Sequence, residues 1–202
     1  MMRHTIGWFL SLWLIGIASA QSFGIVDLDR VRQESNFYKT RAQQLQAMEN
    51  RYQQAFQTLV ENIVLNDEER QELLNLLTME NPNGAQQQRI QQLTQTARQR
   101  ADELQRLRQK TDLNETEKAA LERFTQMEAR GREALQVIRE QLRQQLEQRV
   151  DQLNAELTKA LDEVIAQVAR EKKIAVVFNK GVVLYAENDI TSDVIKRLDA
   201  RK

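Results

Sequence analysis

Lys173-Ile174-Ala175-Val176-Val177-Phe178-Asn179-Lys180-Gly181-Val182-Val183-Leu184-Tyr185 is the stretch that decides the fold. Two runs rich in β-branched residues flank Asn179-Lys180-Gly181, and short runs of this kind around a glycine-bearing turn predict a β-hairpin. Beyond it, Thr191 is placed to N-cap a last helix, with Ile190 and Ile195 at the positions of a hydrophobic staple and Val194 and Leu198 completing its buried face. At the opposite end of the chain, Phe23-Gly24-Ile25-Val26 forms a short apolar run before Asp27. An isolated hairpin or a lone strand is at best marginally stable in water. The two ends are therefore expected to pair, building one small β-body from residues 21–36 and 173–202.

Between them, 37–172 is rich in Gln, Glu, Arg, Leu and Ala with apolar residues every three or four positions, the spacing of amphipathic helices. The fold class is mainly α: a long antiparallel helical hairpin rooted in the β-body. Ala42, Leu45, Tyr52, Phe56, Leu59 and Ile63 follow a heptad stripe broken at Glu49. The later series Ile138, Leu142, Leu146, Val150, Leu153, Leu157, Leu161, Val164 and Val168 steps by about 3.75 residues, against about 3.5 for a left-handed coiled coil. The two stripes drift apart around their helices, so locally splayed pairing is expected.

Asn66 with Glu69, Asn83 with Gln86, and Asn114 with Glu117 each have the spacing of a capping box. Interruptions are expected near 65–66, 80–84 and 111–115. Asn81-Pro82-Asn83-Gly84 is the strongest turn signal in the span. A hairpin tip there would join an outward helix of ~65 Å to a returning one of ~130 Å. With the tip at 111–115, the segments 37–64 and 85–112 together match 116–172, and 65–84 becomes a side excursion of one short helix.

The first residues read as a secretory signal peptide: Arg3, an apolar run from Ile6 to Ile17, and Ala18-Ser19-Ala20 before Gln21. The run falls short of the ~20 apolar residues of a spanning helix. Cleavage after Ala20, a periplasmic location and no stable membrane anchor are expected. Removing this segment takes away Arg3 and leaves the 29 acidic side chains one ahead of the basic ones, so global charge does not favour nucleic acid. The 1 His lies in the signal segment at His4 and there are 0 Cys, which excludes the usual zinc sites and Ser-His or Cys-His catalysis. With no glycine-rich phosphate loop either, neither an enzymatic activity nor a cofactor is expected. Asp67, Glu68, Glu69 and Glu72 read as acids complementing a helix start rather than as metal ligands.

Phe23-Gly24-Ile25-Val26-Asp27-Leu28-Asp29-Arg30-Val31, together with Ile174 to Leu198 and its Asp189-Ile190-Thr191-Ser192-Asp193-Val194, resembles the Skp/OmpH family of periplasmic chaperones. The resemblance implies a homotrimer whose strands assemble the β-body. Helical tentacles from the three subunits would enclose a cavity holding unfolded outer-membrane proteins without ATP. Ile25, Val26, Ile174, Val176, Val177, Phe178, Val183 and Tyr185 are the expected residues of the oligomer body. Arg89, Arg98, Arg100, Arg106, Arg108 and Lys110 form a local basic excess on the outer arm, either a solvated helix face or a client-facing surface. A passive coiled-coil spacer or scaffold of the envelope is the alternative, but it has no need of a compact body joining both ends of the helices.

Overall fold

The structure, a computed structural model, describes residues 22–201. The expected signal peptide and its cleavage after Ala20 lie outside the described residues. In chain order the elements are β1 (Phe23–Val26), α1 (Leu28–Glu34), α2 (Asn36–Glu61), α3 (Asp67–Thr78), α4 (Gly84–Gln109), α5 (Glu115–Glu171), β2 (Val176–Asn179), β3 (Asn188–Asp189) and α6 (Thr191–Asp199).

α5 alone runs the length of the arm: its 57 residues span about 85 Å at the helical rise. α2 and α4, of 26 residues each, both pack along it, and α3 steps aside to pack on α2 and α4. All three Asn-led capping boxes are formed, with Asn66, Asn83 and Asn114 accepting from the N–H groups of Glu69, Gln86 and Glu117. Each box satisfies two of the donors that a helix start leaves open, so the sites of restart follow from local chemistry. The arm turns back between Gln109 and Glu115, not at Gly84.

Three apolar cores lie along this rod. The root core joins Val31, Phe37, Leu161, Val164, Val168 and Leu198. The middle core packs Leu59, Leu65, Leu73, Leu93, Ile138 and Leu142, so four helices contribute to it. A distal core holds Val64, Leu104, Leu107 and Phe124. Between root and middle the pairing loosens: Leu45, Leu146 and Val150 are half-buried and Ala42 is exposed.

The sheet corrects one expectation. A β-hairpin over Ile174–Tyr185 is not formed; β1 lies between β2 and β3, parallel to both. Two-residue hairpin turns of the favoured types need positive φ, and among the described residues no glycine has one. Instead the Asn179 side chain accepts from the N–H of Gly181 at 3.2 Å, and Lys180–Val182 coils into one 3-10 turn. β1 pairs with β2 in the register Phe23↔Val176 to Val26↔Asn179.

Candidate functional site

The body is tied together by polar groups from both ends of the chain. The Asp27 side chain caps α1 by accepting from the N–H of Arg30 at 3.0 Å. Its own N–H donates to Thr191 Oγ1 at 2.9 Å, and that hydroxyl donates to Asp189 Oδ1 at 2.5 Å. Lys180 Nζ lies 3.6 Å from Asp27 Oδ2 and 3.8 Å from Asp189 Oδ2. Burial by itself would push the Asp189 carboxyl up, but the Thr191 hydroxyl and N–H together with the Lys180 and Arg30 charges outweigh it and hold the group below the ordinary range.

Thr191 therefore does not cap α6 as expected from sequence. Ile190 occupies the N-cap without a side-chain bond, and Asp189 accepts the Thr191 N–H at 2.9 Å. The fully buried Thr191 hydroxyl is engaged in joining β1 to α6. This network explains physically why Asp27 and Asp189-Ile190-Thr191 carry the resemblance: they close the body across the whole length of the chain.

The expected body residues divide into two groups. Ile25, Val26 and Ile174 are buried within the chain, and Val177 and Val183 are half-buried. Val176, Phe178 and Tyr185 are exposed, in company with Phe23, Val182 and Leu184. Phe23 stacks on Phe178 at 6.1 Å between ring centroids. From Val182 to Tyr185 the chain runs past this pair without joining the sheet, with Val182 77%, Leu184 108% and Tyr185 83% exposed. The concave space beside it is lined by Phe23, Phe178, Val183 and Tyr185. Phe23, Val182 and Leu184 belong to the same apolar segments but were not among the residues expected in the oligomer body. Their signal was continuous apolar character on both faces of a short segment.

On the outer arm the basic group is almost wholly paired. Arg89 makes a two-pronged contact with Glu72 at 2.8 and 2.7 Å, and Arg100 one with Glu69 at 2.5 and 2.9 Å. Arg106 pairs with Glu103, Arg108 with Glu128 and Lys110 with Glu117. Arg98 is exposed, and among the described residues it makes no such pair. The Arg100 guanidinium, ahead of the opposing effect of burial, holds the Glu69 carboxyl below its ordinary value. The acidic cluster thus serves α3 and its attachment: Glu69 closes the capping box and Glu72 holds α4.

An apolar hollow lies at the loosely paired part of the arm. Tyr52, Phe56, Leu142 and Leu146 line it, and the Tyr52 hydroxyl donates to Gln145 Oε1 at 3.1 Å. Among the described residues no helix is long and apolar enough to cross a membrane.

The described residues define a class of protein: a long helical arm rooted in a small sheet that leaves an apolar strip uncovered. The family model described as outer membrane protein (OmpH-like) matches residues 78–198, from the end of α3 through most of α6. The chain belongs to the OmpH-like family, which points to a function of the outer-membrane-protein chaperone kind, in the periplasm, rather than to an enzyme. No curated protein and no solved structure matches the chain.

Proposed function

We propose that the chain is an ATP-independent periplasmic holdase that works as a homotrimer, with unfolded outer-membrane proteins held between its arms. The observation that carries the reading is the uncovered strip of Phe23, Val176, Phe178, Val182, Leu184 and Tyr185 beside the free edge of β2. An exposed apolar strand edge is a template for pairing with another chain, and patches of this kind mark interaction surfaces. Covering it with the bodies of two further copies gathers three arms around one space. Many weak contacts on three arms retain a client while each contact exchanges quickly, so no energy source is needed.

Client contact in this reading falls on the apolar hollow at Tyr52, Phe56, Leu142 and Leu146 and on the outer arm, where Arg98 is exposed and without an ion pair among the described residues. Alternating apolar strands of an unfolded β-barrel protein need shielding from one another rather than a single tight site.

The test is to dilute a β-barrel outer-membrane protein from urea into purified 21–202 and follow light scattering. Suppressed aggregation at molar excess is the expected result; unchanged aggregation rejects the holdase. Solution mass is read on the same sample, and a stable monomer at working concentration rejects the trimer.

A further inference from the structure

We propose that α6 is a clamp that fixes the angle at which both helices of the arm leave the body, with Asp199 positioning α2 and with Arg197 and Arg201 positioning α5. Its functional consequence, a set width for the space between arms, rests on the holdase reading above.

α2 starts at a kink. α1 ends at Glu34, Ser35 is extended at φ −66° and ψ 129°, and α2 begins at Asn36. The first turn of a helix has open N–H groups and partial positive charge, which acids there complement. α3 and α5 have their own acids in the first turn; α2 has none. Asp199, in the last turn of α6, supplies the missing charge: its Oδ1 accepts from the Phe37 N–H at 3.0 Å and from Ser35 Oγ at 2.6 Å. Ser35 is fully buried and itself accepts from the Phe37 N–H at 3.2 Å. The start of α2 is thus fastened to α6, across the kink that separates it from α1.

The other side of α6 grips α5. Arg197 donates to both carboxylate oxygens of Glu171, at 2.9 and 2.8 Å, and Arg201 to Glu163 at 2.9 Å. Glu163 and Glu171 lie about two turns apart on α5. Two points of attachment fix an axis where one would leave a pivot. Lys172 with Asp193 at 2.9 Å adds a third contact where α5 ends.

Between these contacts, Val194 and Leu198 are fully buried against Val164 and Val168. That burial places α6 but is non-directional. Charge-assisted bonds are directional, so the angle is assigned to them. Exposed ion pairs individually add little to stability, so loosening the arginine side of the clamp changes the geometry far more than the fold.

The chain has 0 Cys, so Arg32→Cys on α1 and Val137→Cys on α5, both exposed positions, take spin labels cleanly. Val137 stands about 50 Å along α5 from its root, within reach of double electron–electron resonance. Labelled chains are diluted into an excess of unlabelled ones. One narrow distance distribution is expected without further changes. Asp199→Ala and the pair Arg197→Ala with Arg201→Ala should each roughly double its width; the arginine pair should leave the urea midpoint nearly unchanged, while Asp199→Ala, which leaves the buried Ser35 hydroxyl without its acceptor, should lower it without unfolding the chain. Asp199→Asn, which keeps an oxygen acceptor, should restore much of the narrowing. A distribution that stays narrow in both Asp199→Ala and the double arginine variant overturns the clamp. Client scattering on the same proteins separates the two readings. An unprotected client with a responsive distribution removes the holdase and leaves the clamp; a protected client with an unresponsive distribution removes the clamp alone.

Discussion

Gly131 sits where α5 crosses the corner between α2 and α3, and a Cβ there would lie 2.7 Å from the carbonyl oxygen of Ile63. The same corner holds Arg70, buried, donating to the Leu65 carbonyl at 2.6 Å and to Asp67 at 2.7 Å. In an open helix Gly→Ala gains about 1 kcal/mol of propensity. Here the neighbour is backbone, and overpacking a tight site costs about 1–3 kcal/mol, so sterics win. Gly131→Ala is expected to lower the urea unfolding midpoint; a midpoint equal to or above that of the parent chain would show that the corner yields. The need for glycine at 131 was not legible in sequence, because it depends on which segment α5 meets. The Asn caps at 66, 83 and 114 were legible, since each box is closed by a residue three positions away. Thr191 shows the limit of that logic: the residue type was right for a cap, but a partner from the far end of the chain took the hydroxyl.

α3 is the element that departs from a plain two-helix arm. Its leucines join the middle core, and its exposed side is latched to α4 through Arg100 with Glu69 and Arg89 with Glu72. The Glu69 carboxyl is depressed below its ordinary value of 4.5, chiefly by the hydrogen bond from Arg100. A carboxyl depressed in the folded state contributes stability that is fully present above the unfolded value and is lost as pH falls through the folded one. Glu69→Gln keeps a residue that can still close the capping box but removes this charge. The variant is expected to be less stable than the parent at neutral pH and to approach it below 4.5, compared by urea unfolding across the acid range. An equal gap at every pH would remove the latch from the account. At this scale the length balance of the segments indicated the tip at 111–115 and the side excursion of 65–84, because helix length per residue is fixed. The hairpin was misread for the opposite reason. Strand character in Val182–Tyr185 is local, but its partner is not: β2 pairs with β1 from the far end of the chain, and Val182–Tyr185 stays outside the sheet.

For the whole molecule, the proposed assembly places its joint at the exposed strip Val182–Tyr185. Leu184 is fully exposed, so an aspartate there has no neighbour to disturb within one chain. If bodies join across this strip, Leu184→Asp places a charge in an apolar contact, where burial without a partner is costly. The expected outcome is a loss of mass in solution to that of one chain, with helical content by circular dichroism retained; an unchanged mass would place the joint elsewhere. The sequence by itself determined what is set by neighbours in the chain: where the helices restart, how long the arm is, which segments are apolar, and that both ends belong to one body. Only the tertiary structure decided which strand β1 lies between, which acids neutralise the basic outer arm, and what fastens the start of α2. Those outcomes depend on groups far apart in the chain competing for one hydrogen-bonding edge or one charge, and no local pattern ranks such competitors.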